Sequence, residues 1–315
     1  MTMVDVTTRR VIGVLLVLIL GAAACGGDDG GSGAADTTLA SDTTTKGKED
    51  DRTAVTSVLE PETVEVGSTV WFAGFEITVE SASIVPADGT DVLDDRVDVE
   101  LALENLGDVT TTLDATFVLT SSGSSYEAFE SDLPSVPGAA RGVGSVRFAV
   151  DDDVTFDDAV ITIGRPTNNQ AVVPLDGTDG LVTLEPVDPG ITTSGTGGEL
   201  QADVTAGELR WDIPESHRQV EDGSAALTLT INITYLGDFP GGYAFGPNNL
   251  ALRLPDGTTI AREDGPIELI RAGTTVRDAT FLFIIDSPSE GEYAVVITDD
   301  AGGGVARGDA PFTIE

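Results

Sequence analysis

Beyond Lys48 the chain has no lysine, and in 315 residues it has one cysteine and one histidine. These absences close off most active-site chemistry. A Ser-His-Asp triad would have to use His217, which sits in the polar, turn-like run Ile213-Pro-Glu-Ser-His-Arg218 with no nucleophile motif beside it and reads as a surface residue. A Ser-Lys pair needs a lysine that the region after residue 48 lacks. Zinc sites of the Cys and His type cannot be assembled. With a single cysteine no disulfide can brace a fold, so packing alone must hold it. No stretch after residue 55 keeps helical spacing for three turns.

What is abundant is acid. The formal net charge is −38, and residues 56 to 315 hold 46 Asp and Glu against 11 basic residues, all arginine. Such a field repels phosphates and anionic lipid headgroups, which sets nucleic acid aside as a partner and favours solubility and cationic partners; the preferred reading of the charge is a solvated acidic surface.

The amino terminus follows another logic. Arg9 and Arg10 precede the apolar run Val11-Ile-Gly-Val-Leu-Leu-Val-Leu-Ile-Leu20, which leads into Gly21-Ala-Ala-Ala-Cys25. The run to Ala24 is 14 residues long, shorter than the roughly 20 that a membrane-spanning helix needs. A charged start, an apolar core and small residues before a cleavage point make a signal peptide over residues 1–24. Its end resembles the bacterial lipobox, with Ala22 where that motif prefers leucine. The resemblance implies that Cys25 carries diacylglycerol and becomes the first mature residue. Arg9-Arg10 also resembles a twin-arginine export signal. Residues 25–55 are Gly, Ser, Thr and Asp-rich with almost no large apolar side chain, which predicts a disordered tether.

From residue 56 onward the period is two. Val97, Val99, Leu101 and Leu103 alternate with Asp98, Glu100 and Glu104, and Ala225–Tyr235, Val146–Val150 and Phe281–Ile285 repeat the pattern. Turn pairs at Ser122-Gly123, Pro137-Gly138, Asp222-Gly223 and Asp256-Gly257 punctuate them. Short strands without intervening helices predict β-sandwiches.

The pattern also recurs. Ala73-Gly74 matches Ala206-Gly207, Phe117 matches Leu250 and Phe148 matches Phe281, each at a spacing of 133. Leu106-Gly-Asp108 matches Leu236-Gly-Asp238 at 130, and Ala159-Val-Ile161 answers Ala294-Val-Val296. A duplicated module follows, with domains at 56–187 and 188–315 and a boundary in the Pro, Gly and Thr-rich stretch from Pro186 to Gly198, where the β pattern breaks.

The run Gly67-Ser-Thr-Val-Trp-Phe-Ala-Gly-Phe-Glu-Ile-Thr-Val79, the strand ending in Glu104-Asn105, and the Pro-Gly turn leading to Gly144-Ser-Val-Arg-Phe-Ala-Val150 resemble the telokin-like immunoglobulin-type domains of bacterial surface lipoproteins. The resemblance covers roughly residues 60 to 176. It implies an immunoglobulin-like β-sandwich there, which the repeat extends to two in tandem in an all-β chain, displayed on the outer face of the cytoplasmic membrane. It carries no catalytic residue and no cofactor.

Three candidate sites remain. Asp151, Asp153, Asp157 and Asp158 lie in one loop with the oxygen chemistry calcium takes, and Asp91, Asp94 and Asp95 make a second acidic loop, though neither has an EF-hand pattern. Phe239, Tyr243 and Phe245 concentrate aromatics in one loop, where they could meet a partner; the preferred reading is that Phe239 and Phe245 turn inward and plug the core. Arg307-Gly308-Asp309 spells an integrin tripeptide in what reads as a glycine-rich loop. Trp71 and Trp211 read as core or inter-sheet anchors. The functional expectation is a non-enzymatic protein, held to the membrane by lipid on Cys25, that binds or spaces another envelope protein or polysaccharide. The alternatives are a calcium-dependent adhesin, and a carbohydrate-active enzyme or accessory module using two close carboxyl groups.

Overall fold

The computed structural model describes residues 61–87, 95–301 and 304–315. The expected signal peptide, Cys25, the tether, and Asp91 and Asp94 lie outside the described residues. Residues Thr56–Glu315 form one compact unit. Among the described residues there is no α-helix, and the only helical pieces are short 3-10 turns.

The first ten strands are β1 (Glu62–Phe72), β2 (Phe75–Val85), β3 (Arg96–Asn105), β4 (Thr111–Thr112), β5 (Phe117–Ser121), β6 (Ser124–Asp132), β7 (Ser135–Val136), β8 (Arg141–Ala149), β9 (Val160–Ile163) and β10 (Ala171–Pro174). They pair in the order β1-β2-β3-β8-β6-β5-β9-β10, with β4 and β7 as a separate ribbon. β6 joins the two halves of that sheet: its first residues pair with β5 and its last with β8. The alternation in β3 does what its period dictates. Val97, Val99, Leu101 and Leu103 are buried, and the acids between them face outward. Each such burial contributes roughly 1.5–3 kcal/mol.

The remaining strands are β11 (Thr193–Gly197), β12 (Leu200–Arg210), β13 (Asp212–Ile213), β14 (Arg218–Gln219), β15 (Ser224–Tyr235), β16 (Tyr243–Phe245), β17 (Leu250–Arg253), β18 (Thr259–Ala261), β19 (Glu268–Ile270), β20 (Thr275–Asp286), β21 (Gly291–Asp299) and β22 (Ala306–Ile314). They form β11-β12-β15-β20, β18-β17-β21-β22 and the ribbon β16-β19. Set beside the first ten, the order is the same strand for strand. The hairpin β13-β14 has no counterpart among the described residues of the first repeat, and it stands where β2 connects to β3 there. Two large hydrophobic cores result, one drawn from Val70–Leu175 and one from Ile191–Ile314. The arrangement is all-β and sandwich-like. Thr193–Gly197 is a strand although it lies in the stretch expected to break the β pattern.

Hydrogen bonds fix which residues of the two repeats correspond. Leu106 N–H donates to Gly74 O at 2.9 Å, and Leu236 N–H donates to Glu199 O at 2.7 Å. Asn105 N–H reaches Ala140 O, as Tyr235 N–H reaches Thr274 O. The Leu-Gly-Asp match therefore coincides with structural equivalence, as does Phe117 with Leu250, which face Ile163 and Ile297. Three matches are displaced. The Ala73-Gly74 turn corresponds to Gly198-Glu199, since Phe72 pairs with Phe75 and Gly197 with Leu200. Ala206-Gly207 lies inside β12 at an irregularity. Phe148 corresponds to Phe283, because β15 and β20 slip register near Ile231 and Ile233. Val160, not Ala159, corresponds to Ala294, each facing a proline across its last strand pair. A one-residue offset exchanges the two faces of a strand, so backbone pairing decides it.

The added hairpin joins the repeats. Ala73 N–H donates to Gln219 Oε1 at 2.8 Å and Gly74 N–H to Asp212 Oδ2 at 2.7 Å. His217 Nε2 lies 2.9 Å from Asn105 Oδ1, with its ring tilted against Phe75 at 5.8 Å. Asn169 holds the other side: its side-chain amide donates to Ser224 O, and its oxygen accepts from Gly223 N–H. The surface assignment of His217 is thus corrected. It is half-buried because the hairpin that carries it lies against the first repeat.

Candidate functional site

The loop that follows β15 carries the aromatics singled out in the sequence, and the structure separates them. Phe245 is buried, edge-on to Phe281 at 6.0 Å, and the Arg262 guanidinium lies 5.7 Å and 5.2 Å from the two ring centres. It plugs the core as expected. Tyr243 buries its ring and keeps its hydroxyl at a groove. Phe239 does not turn inward: it is 63 % exposed, and that expectation is corrected. The turn explains the difference. Gly242 N–H bonds back to Phe239 O, so the chain reverses there and lays the Phe239 ring over Gly241 on the outside.

Phe239, Tyr235 and Tyr243 line a groove of about 740 Å³ together with Glu199, Asp299 and Asp300. The tyrosine rings are 5.4 Å apart and both are buried. Each hydroxyl donates to a carboxylate, Tyr235 to Glu199 Oε2 at 3.2 Å and Tyr243 to Asp300 Oδ1 at 3.1 Å. Asn249 Nδ2 donates to the Tyr243 oxygen at 2.9 Å. Burial, reinforced by these carboxylate partners, raises the pKa of both phenols, so they stay protonated donors. Asp299 is buried and spends its oxygens on the backbone: Oδ2 accepts from Glu199 N–H and Oδ1 from Ala301 N–H. Glu199 and Asp300 are exposed and have one oxygen each in these bonds. Gly237 permits the arrangement, since a Cβ there would strike the Tyr235 hydroxyl and the Glu199 carboxylate. Leu236 and Leu269 add exposed apolar surface at this end, Leu269 beside Gly242. The groove presents acceptors and aromatic surface, and among the described residues no basic side chain lines it.

Beyond the groove, the sequence-selected residues fall as follows. Asp158 ties down the β5-β6 turn: Oδ1 accepts from the Ser121 hydroxyl at 2.7 Å and Oδ2 from Ser122 N–H at 2.8 Å, which lowers its pKa. Asp151 accepts from the Tyr126 hydroxyl. Asp153 offers its backbone oxygen to Ser122 Oγ, and Asp157 lies in the 3-10 turn Phe156–Asp158. Among the described residues, no three His, Cys, Asp or Glu side chains converge as metal ligands. In the second acidic loop Asp95 accepts from Ala87 N–H. Arg307-Gly308-Asp309 is not in a loop: it lies within β22, where Asp309 pairs with Arg253 at 2.7 Å. Trp71 and Trp211 are half-buried and lie outside the hydrophobic cores, so neither is a core anchor; Trp71 lies between buried Val70 and Phe72 on the opposite face of β1. Residues missed from sequence are Glu199, Tyr235, Asp299 and Asp300. Only the register of the repeat, which places Glu199 in a turn beside Leu236, could have signalled them.

No family model matches the chain, and no curated protein matches its sequence. No helix among the described residues is long and apolar enough to cross a membrane.

Proposed function

We propose that this chain is a non-enzymatic surface lipoprotein, held by lipid on Cys25, in which two immunoglobulin-like sandwiches present a binding end to another envelope component. One observation carries the binding role: the open groove lies at the end of the folded unit opposite Glu62. β1 runs from Glu62 to the turn at Ala73-Gly74, that turn meets the second repeat, and the groove is at the far end of the second repeat. An exposed phenylalanine lining one groove with two exposed carboxylates, in a loop fixed by a rigid scaffold, is suited to recognition. The side chains also favour binding over hydrolysis. Asp299 is engaged by backbone, and Glu199 and Asp300 each hold a phenol that stays protonated.

Cell fractionation tests the anchor. The full chain should partition with membranes, incorporate labelled palmitate and be cleaved by protease added to whole cells, whereas Cys25→Ser should carry no label and keep its uncleaved signal segment. Equal palmitate labelling of Cys25→Ser, or no labelling of the wild type, would overturn the lipoprotein reading.

A further inference from the structure

The groove is the counterpart of a surface that is already occupied in the first repeat. In the first repeat the turn Ala73-Gly74, Asn105 at the end of β3 and, through Asn169 O accepting from Gln219 Nε2, the loop after β9 receive the β13-β14 hairpin. The corresponding parts of the second repeat are the turn Gly198-Glu199, Tyr235 at the end of β15 and Asp300-Ala301 directly after β21, and these meet at the groove, which Glu199, Tyr235, Asp300 and Ala301 line. Gly107 and Gly237 correspond as well. A Cβ on Gly107 would lie 2.6 Å from the His217 ring, and one on Gly237 would strike groove side chains.

We infer that the groove is a docking site for a basic turn of a protein partner, seated on the second repeat as the Asp212–Gln219 hairpin is seated on the first. The polarity of the groove selects the charge. In the first repeat the receiving groups are donors, Ala73 N–H and Gly74 N–H, and the hairpin brings acceptors, Gln219 Oε1 and Asp212 Oδ2. In the second repeat the N–H equivalent to that of Gly74 belongs to Glu199, and Asp299 of the same repeat already bonds it. The acceptor an incoming turn would bring is thus supplied from within. What the groove offers is carboxylate oxygen, at Glu199 and Asp300, beside the Phe239 ring. An arginine or lysine at the tip of a turn satisfies both, by charge-assisted hydrogen bonds and by contact with the aromatic face. A second copy of the chain does not fit. Its own β2-β3 connection carries Asp88, Asp91, Asp94 and Asp95 with no basic residue before Arg96, and like charges would meet.

This inference rests on the binding role proposed above, and its test is separate from fractionation. Backbone-cyclised hairpins that differ only in carrying arginine, glutamine or glutamate at the turn are titrated against the full lipidated chain in nanodiscs, alongside a neutral chito-oligosaccharide. The arginine hairpin should bind about tenfold more tightly than the glutamine one, and the glutamate one not at all. Glu199→Gln and Phe239→Ala should each weaken the arginine hairpin about tenfold with unchanged melting. Glu292→Gln removes the same charge from the opposite end of β21 and should have no effect. Equal binding of arginine and glutamine hairpins, absence of binding by any hairpin, equal loss in Glu292→Gln, or preferential binding of the sugar would overturn the inference. A protein found outside the membrane fraction would sink the anchor alone and leave this result standing.

Discussion

His217 Nε2 in the second repeat lies 2.9 Å from Oδ1 of Asn105 in the first. The Asn105 amide is fully used: Nδ2 donates to Val109 O and Val136 O, and Oδ1 also accepts from Gly107 N–H. One buried side chain therefore closes the loop after β3 and receives the neighbouring repeat. Asn105→Ala leaves two carbonyls and an N–H to be satisfied, and should cost about 2–4 kcal/mol in urea unfolding. His217→Ala removes only the contact between repeats. Its core stability should be close to wild type, while small-angle scattering should show a broader distribution of inter-repeat distances. A distribution as narrow as wild type would mean the Asp212, Gln219 and Asn169 bonds hold the joint without His217.

Gly107 gives a sharper probe of the same joint. The first repeat's core does not need it, since the atoms that an added Cβ would meet are those of His217 and Pro214 O. Gly107→Ala should separate the repeats while each core stays folded, seen as two melting transitions where the wild type shows one. A single unshifted transition would show that the hairpin can shift by a few tenths of an ångström at no cost.

The acidic loop after β8 makes a prediction of opposite character. Hydrogen bonds from Ser121 and Ser122 lower the Asp158 pKa below its unfolded value. The stabilisation is therefore complete above the ordinary carboxylate pKa of about 4, and is lost as pH falls through the depressed folded value. Asp158→Asn should lower the melting temperature at neutral pH and converge with wild type in acid. Calcium should add nothing beyond ionic strength, because Asp158 has both oxygens engaged and no three ligands converge there among the described residues. A rise in melting temperature specific to calcium and reversed by chelator would restore the loop as a cation site.

Strand identity was legible because it is local. Val97 to Leu103 and Leu227 to Ile233 alternate so regularly that face and burial follow from spacing alone. Register was not, because it depends on partners: the slip between β15 and β20 contributes to a two-residue displacement of the Phe148 match, and the Ala73-Gly74 turn falls eight residues from its sequence match. The groove was half legible. Phe239 and Tyr243 cluster within five residues, but Tyr235 sits at the end of a strand, Glu199 and Asp300 reach the groove from other turns, and their acidity is unremarkable in a chain where acid is everywhere. His217 was unreadable for a further reason. Its surroundings in sequence are polar, and its burial comes from the other repeat.

The ion pair at the base of the hairpin decides how the joint is built. Arg210 Nε donates to Asp212 Oδ1 at 2.8 Å, and Asp212 Oδ2 accepts from Gly74 N–H across the joint. Both residues are buried, Glu208 is a distant second partner at 3.4 Å, and Nη2 of Arg210 has no partner among the described residues. Desolvating this pair is costly, and Asp212 is what offsets it. Asp212→Ala strands a buried guanidinium and removes the Gly74 acceptor, so it should destabilise by about 3–5 kcal/mol in urea unfolding followed by tryptophan fluorescence. Asp212→Asn keeps an acceptor for Gly74 and should cost less. Combining it with Arg210→Met removes both charges while keeping that bond. The double variant should be more stable than Asp212→Asn alone, because the unpaired cation is the larger penalty. Were Asp212→Ala to cost under about 1 kcal/mol, Arg210 would be reaching water, and the joint would rest on the hydrogen bonds of Gln219, His217 and Asn169.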